Sequence, residues 1–407
     1  MDTSNIPPFL DHQYFKIALE NGLKTNNIQI VNLQFSMGSG PGENFLSSVY
    51  RVLVTYSTGN APPKSVSLIV KVVPDIPLYA GGGSEMHEKE AMMYFDILPA
   101  IEKGLKEGRM SPRGFFAALK EPKTIVIEDL KHLGYRLSDR QKGLNEDHCK
   151  LVLEKLGQFH ALSMLYAEKN PMKMEHFKEG VVTPYSVNTP AFEMTHWANF
   201  KSTIALAESW PGYEAVAQKM KGIQTAKELA ERLLTVADCS NDSFKILNHG
   251  DMWVNNFLFK YDSNGKPEDL IFVDYQCSVY GSPGNDINHF LGLSPAAEVL
   301  KNRHEHMIRE YYYQSFKQTL QNVGYGRIPT EEAIMAEIRR KESYGVLLAI
   351  GVLPILSMDT CVSKDNTLEN MSSGKVGSNM QHSVLSARFQ EAMKYWLKRA
   401  DESKLFD

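Results

Sequence analysis

The sequence predicts an α+β fold in two lobes, a small β-rich one at the N-terminal end and a larger, mainly helical one after it. Three observations lead there. Strand-like alternation of apolar residues lies mostly in the first third, as in Tyr50, Val52, Val54, Tyr56 and in SVSLIVKVV at 65–73. Beyond residue 130 the apolar residues recur instead at spacings of three and four, the period of a helix. The length, 407 residues, suits two to three domains or one two-lobed unit. The boundaries read as 1–130 for the β-rich lobe and 131–407 for the helical one, with an extra helical insert at about 170–240.

Taken in order, Phe15, Leu19 and Leu23 recur at spacing four and predict an opening helix. The run MGSGPGENF (37–45) is a glycine-rich loop entering a strand at Tyr50–Tyr56. Asn60-Ala61-Pro62-Pro63 turns the chain into the second strand, SVSLIVKVV, so the two form a hairpin. GGGS (81–84) is a loop tip, and Met86–Leu98 is helical with Glu90, Met93 and Ile97 on one side. Thr124–Ile127 is a buried strand running into Glu128-Asp129-Leu130. Val152, Leu156 and Phe159, then Met307, Tyr311, Leu320 and Val323, then Leu385, Phe389, Met393, Trp396 and Leu397 mark helices. Phe257–Tyr261 and Leu270–Val273 flank the turn DSNGKP and predict a second hairpin. The apolar run Tyr344–Met358 is about 15 residues, short of the roughly 18–20 a membrane span needs, and Pro354 interrupts it, so it reads as a buried helix. The polar stretch Met371–Asn379 reads as a loop.

Composition excludes several classes. Hydrophobic residues are 43% and charged residues 23%, which suits a folded chain with a large core. Lysine plus arginine number 44 against 48 acids, a net charge of −4, so no basic field points to nucleic acid or an anionic membrane. Cys149, Cys239, Cys277 and Cys361 lie far apart in no zinc-like or disulfide-like spacing, and the first residues lack a signal-peptide pattern, so a reducing cytoplasmic setting is expected.

The chemistry gathers at the second hairpin. Asn256 precedes its first strand and Asp274 follows its second, so antiparallel pairing brings both to one end. Asp251, in HGDMWVNN, follows the apolar strand Phe244–Leu247 and loops over the same mouth. Two aspartates so close repel unless a cation or proton lies between them, and an all-oxygen set suits magnesium, completed by water and phosphate. Singly each residue reads as a turn or a cap; jointly they suggest a metal-nucleotide site. Lys71 sits among apolar neighbours on its strand and needs a partner, unless it is an edge residue reaching water. Glu90 is favoured as that partner, with Glu88 competing, and the pair would hold nucleotide phosphates. The glycines at 38–42 would suit phosphate contact through backbone N–H groups but match no P-loop and read equally as a plain turn.

Glycine loop, strand lysine, helix glutamate, HGDxxxxN, hairpin and aspartate stand in the order of the protein-kinase-like fold. HGDMWVNNFLF, VDYQ, GSPGNDINHFL, EKEAMMYF and TIVIEDL resemble the ecdysteroid kinase-like family, related to choline kinases and aminoglycoside phosphotransferases, over roughly 30–400. The resemblance implies Asp251 as the base that orients the acceptor hydroxyl and takes its proton, Asn256 and Asp274 as magnesium ligands, Lys71 on the α and β phosphates and Glu90 as its partner. It implies that the backbone of Glu128, Asp129 and Leu130 faces adenine, with Asn44 and Ser47 as phosphate neighbours, His249 supporting the catalytic loop and Asp286 bracing it. Tyr275-Gln276 after Asp274 departs from the Phe-Gly of protein kinases and argues against their activation switch.

ATP and Mg²⁺ are therefore the expected cofactors and a small-molecule alcohol the expected partner, with no nucleic acid and no membrane span. The insert supplies Phe192, Trp197, Phe200, Trp210 and Tyr213, either a surface for a flat apolar ligand or core. Residues 171–238 hold eight acids and seven bases, without the acidic excess a polycationic acceptor would need, so a sterol-like alcohol such as an ecdysteroid is preferred. A choline, ethanolamine or xenobiotic-alcohol kinase is the alternative. A kinase-shaped binding protein without turnover (a pseudokinase) and a metal-dependent phosphatase are the readings of another class.

Overall fold

The computed structural model describes residues 6–37, 48–73, 83–358 and 384–407. The predicted glycine loop with Asn44 and Ser47, Gly81 and Gly82 of the loop tip, the polar stretch 371–379 and Cys361 lie outside the described residues.

The N-terminal part is built on one antiparallel sheet. Helix α1 (His12–Leu23) starts where the Asp11 side chain accepts the Tyr14 N–H at 2.8 Å, and ends at Lys24, whose φ of 53° breaks the helix. Strands β1 (Ile28–Met37), β2 (Ser48–Thr58) and β3 (Lys64–Val72) precede helix α2 (Gly83–Met92), which continues through a π-helical turn at Met93–Ile97. Strands β4 (Gly114–Ala118) and β5 (Thr124–Glu128) complete a five-stranded sheet in the order β1-β2-β3-β5-β4. The β2–β3 hairpin and the β5 strand stand where the alternation placed them. The edge strands β1 and β4 carry no clean alternation, and the sequence does not predict them.

Alternation sorts β3 by face. Leu68, Val70 and Val72 pack with Val52, Val54 and Phe115 against Phe15 and Leu19 of α1. Ile69 and Lys71 therefore point to the opposite face, where Ile125 and Ile127 meet Met93 and Ile97. That second cluster continues into the helical part, so α2 is seated on both the sheet and the helical body.

The rest is mostly helical. Helix α3 (Glu146–Lys169) is capped by Asn145, and α4 (Ala198–Ser209), α5 (Glu214–Met220) and α6 (Ala226–Ala237) come after it. Short strand β6 (Ile246–Asn248) pairs with β9 (Val279–Gly281), enclosing the hairpin of β7 (Phe257–Tyr261) and β8 (Pro267–Phe272). The strand expected at Phe244–Leu247 thus begins two residues later. Then come α7 (Gly284–Leu293), α8 (Ala297–His306), α9 (Gln314–Asn322), α10 (Glu331–Arg340), α11 (Glu342–Leu356) and α12 (Ala387–Glu402). The expected C-terminal helix begins after Leu385, which is exposed, while Phe389, Met393, Trp396 and Leu397 are buried. Val323 falls just past α9 and is exposed as well.

Helix α11 is apolar all round because it is buried all round, in keeping with the expectation for 344–358. It lies against α7 at glycine contacts: a Cβ on Gly345 would sit 2.5 Å from the Asn288 carbonyl oxygen, and one on Gly292 2.6 Å from that of Gly345. Only glycine permits this approach. Among the described residues no helix is long and apolar enough to cross a membrane.

Candidate functional site

Lys71 reaches across from β3 to two carboxylates. Its Nζ lies 2.7 and 2.8 Å from the two oxygens of Glu90 on α2, and 2.8 Å from Asp274 Oδ1 at the end of the β7–β8 hairpin. Burial alone would depress the ammonium, but Asp274 and Glu90 outweigh it and hold the Lys71 pKa above the ordinary lysine value. Burial raises the Glu90 carboxyl, with Lys71 opposing. Glu88, the competitor, is exposed on the other side of α2.

The loop before the hairpin presents Asp251. Gly250 makes the turn possible: its φ is 85°, and a Cβ there would lie 1.9 Å from the Cys277 carbonyl oxygen. Asp286, the fully buried third residue of α7, accepts the His249 N–H at 2.6 Å, the Gly250 N–H at 2.8 Å and His160 Nε2 at 3.1 Å. Burial opposes its charge, yet these donors keep its pKa below the ordinary carboxylate value. The bracing position expected for Asp286 is thus the one it occupies. His249 donates from Nε2 to the Val273 carbonyl at 3.0 Å and accepts the Asp251 N–H on Nδ1 at 3.3 Å. Burial lowers its pKa, so it stands as a neutral strut between loop and hairpin.

Asp251 Oδ2 accepts Asn256 Nδ2 at 2.8 Å and Trp253 Nε1 at 3.1 Å. Burial, and then the charge of Asp274, push its carboxyl up to about 7 against those donors. Asp274 has φ 69° and ψ 64°, a strained conformation for a non-glycine residue, and its N–H donates to the Tyr94 hydroxyl at 3.0 Å. The Val273 N–H donates to the Asn256 carbonyl at 3.1 Å, tying the two ends of the hairpin. Asp251, Asn256, Asp274, Lys71 and Glu90 therefore meet in one place.

A cavity of about 590 Å³ opens there between sheet and hairpin, lined by Lys71, Asn256 and Asp274 and by apolar Val49, Ile69 and Leu258. Glu128, Asp129 and Leu130 form part of its wall. Two of their three amides are occupied: Glu128 N–H by the Arg113 carbonyl and Asp129 N–H by the Ser67 carbonyl. Leu130 opens a short helical turn, so its N–H lacks an intrahelical acceptor. The Glu128 side chain pairs with Arg109 at 2.5 Å, and Asp129 with Arg51 at 2.8 Å and Ser67 at 2.7 Å. Both are structural anchors of the wall.

The donor set fits magnesium. Asn256 spends its Nδ2 on Asp251, which leaves Oδ1 as an acceptor, and Asp274 spends one oxygen on Lys71. One amide oxygen and one carboxylate oxygen beside a second, partly buried carboxylate are the sparse oxygen ligands such an ion takes.

Of the two readings of the insert's aromatics, the structure bears out core. Phe192, Phe200, Trp210 and Tyr213 are buried in the main core; Trp197, partly exposed, stacks on Phe200. A larger cavity, about 860 Å³, lies on the far side of α2 around Glu88, Met92 and Phe95 and is lined by none of Lys71, Glu90, Asp251, Asn256 and Asp274. Sequence reasoning missed Tyr94, the Trp253 N–H on Asp251 and His289, whose Nε2 lies 3.7 Å from Asp251 Oδ1. The spacing of Asp286 and His289, three apart on one helix, was the available signal for the last.

A model described as the ecdysteroid kinase-like family matches residues 41–325, well over half of the chain. No curated protein matches. Among solved structures, a glucosamine kinase (crystal form B) aligns over 84% of this chain and 82% of its own, at 14% identity and a TM-score of 0.33.

Proposed function

Given that the chain belongs to the ecdysteroid kinase-like family, we propose that it transfers the γ-phosphoryl group of ATP to a hydroxyl of an ecdysteroid or similar sterol-like alcohol. The observation that carries the reading is the bridge from Lys71 to both Glu90 and Asp274 at the mouth where Asp251 and Asn256 meet. It sets a cation suited to phosphate near Asp251, a partly buried carboxylate suited to a hydroxyl proton. The chain then works as two lobes, 1–130 over the nucleotide and 131–407 presenting the catalytic loop, in the manner of a protein-kinase-like fold.

In this reading the apolar wall at Val49, Ile69 and Leu258 takes the adenine, with the Leu130 amide as its hydrogen-bond donor. Lys71, steadied by Glu90, contacts the α and β phosphates. Asn256 and Asp274 would hold magnesium, which would supply charge neutralisation for the transferring phosphoryl group. Asp251 orients the acceptor hydroxyl and receives its proton on Oδ1, because Oδ2 already accepts two N–H groups. Burial, which pushes Asp251 up to about 7, makes it a better proton acceptor than an exposed aspartate. The sterol preference rests on the family and on the charge balance of the insert, since its buried aromatics no longer support it. The free, buried Cys149, Cys239 and Cys277 favour a reducing, cytoplasmic setting.

The test is incubation of the purified protein with labelled ATP, magnesium and a panel of ecdysteroids, other sterols, choline and xenobiotic alcohols. Label transfer to an ecdysteroid is the expected result. Transfer to choline alone would move the substrate class, and absence of any transfer together with absence of magnesium-dependent ATP binding would remove the kinase reading.

A further inference from the structure

His289 sits on α7, three residues after Asp286, so both face the catalytic loop. Its side chain is 4% exposed, and its Nε2 is 3.7 Å from Asp251 Oδ1, the oxygen that neither Asn256 nor Trp253 contacts. Its other nitrogen, Nδ1, is buried without a hydrogen-bond partner, and so is Asn285 Oδ1. Both residues line the same small cavity, about 20 Å³, together with Gly250, Val182 and Tyr344. A void needs about 10–15 Å³ and two or more polar partners to hold a water. This one meets both conditions, and without a water the buried nitrogen and oxygen would both stay unpaired.

We infer that His289 is a positioning residue for Asp251, fixed by one buried water in the tautomer that turns its Nε2–H towards Asp251 Oδ1. The hydrogen count leads to this arrangement. Asn285 Oδ1 can only accept, so it takes one hydrogen of the water. Where Asp251 is ionised, as it must be to receive a proton, its carboxylate also only accepts, so Nε2 must carry the ring proton, and Nδ1 then accepts the second hydrogen of the water. Burial, which pushes His289 down to about 4, keeps the ring neutral and leaves it a single proton to place. Asp251 is thereby bracketed by two histidines in the same tautomer. His249 takes its amide N–H, and His289 steers the oxygen that meets the acceptor. The 3.7 Å separation closes when the acceptor hydroxyl settles on Oδ1 and the carboxylate turns towards it.

What Asp251 does rests on the proposed phosphotransferase function; where the His289 proton lies does not. Nitrogen-15 spectra of histidine-labelled protein at about pH 8.5, where Asp251 with its pKa of about 7 is ionised, read the tautomer directly. A neutral ring protonated on Nε2 is expected, and a ring protonated on Nδ1 overturns the inference whether or not the protein is a kinase. With Mg-ATP and the acceptor panel, His289→Phe keeps the volume but removes the N–H. It should lower kcat about tenfold to a hundredfold with KM for Mg-ATP unchanged, and His289→Gln, which restores an N–H, should recover part of it. Loss spread equally over kcat and KM, or full kcat in the Phe variant, rejects the positioning role. If neither variant folds, or no acceptor is turned over, the tautomer of the unaltered protein decides.

Discussion

Lys71 has two anionic partners, so removing one carboxylate and removing the lysine itself have unequal effects. Glu90→Ala leaves the ammonium with Asp274, so stability should fall by only about 1–2 kcal/mol in urea titration while Mg-ATP binding weakens. Lys71→Met strands Glu90, which is 3% exposed, beside Asp274, and should cost about 3–5 kcal/mol. Equal losses for the two variants would mean that Asp274 does not share the lysine. Asp251→Ala should lower phosphoryl transfer about 10²- to 10⁴-fold with nucleotide affinity kept, whereas a binding protein would show no activity to lose. At this scale the sequence was legible wherever a polar group interrupts an apolar pattern, as with Lys71 in SVSLIVKVV and Glu90 beside Met93. Tyr94 and His289 were not legible, because an aromatic or histidine on a helix's buried stripe carries the same pattern as core and only its neighbours across the fold reveal its partner.

Among the elements, α7 has the most concentrated role. One carboxylate near its start, Asp286, satisfies three donors, two on the loop before the β7–β8 hairpin and one on α3. Asp286→Ala leaves all three unpaired in the interior, and a loss of about 3–5 kcal/mol in urea unfolding is expected, with Asp286→Asn losing less because one oxygen remains. A change within about 1 kcal/mol would show that the loop is held by other means. The β7–β8 hairpin was legible because a turn-forming hexapeptide stood between two apolar runs with polar residues at their outer ends. Strands β1, β4 and β9 were not: each is an edge or three-residue strand paired on one side, so its sequence need not alternate. The insert is helical, as its spacing indicates, but helical spacing does not tell an aromatic that faces a ligand from one that faces the core.

For the whole molecule, interior histidines couple the fold to pH. Burial pushes His304 down to about 3, against about 6.5 for an unfolded chain. Above about pH 6.5 both states are neutral there and nothing is lost. As the pH falls below that value the unfolded chain binds a proton that the folded one refuses, so stability declines until the folded value is reached. Relative to His304→Asn, the unaltered protein should lose about 2 kcal/mol between about pH 6.5 and 5. The comparison cancels Asp251, whose raised pKa works in the opposite direction. Parallel curves would mean that His304 is protonated in the fold. At this scale composition and period conveyed an α+β chain with its strands mostly early, and the core shows what they could not. One apolar cluster runs from Ile125 and Met93 through to Trp396, so packing is continuous across the place where the sequence pattern changes. The Lys71–Asp274 contact has a further consequence. Under the proposed function nucleotide entry would be a swap of partners, in which Lys71 would turn from Asp274 to phosphate and Asp274 would be freed to hold the metal. A nucleotide arriving without its cation would have to separate that pair with nothing to offer the aspartate, so under that function bare ATP should bind more weakly than its magnesium complex.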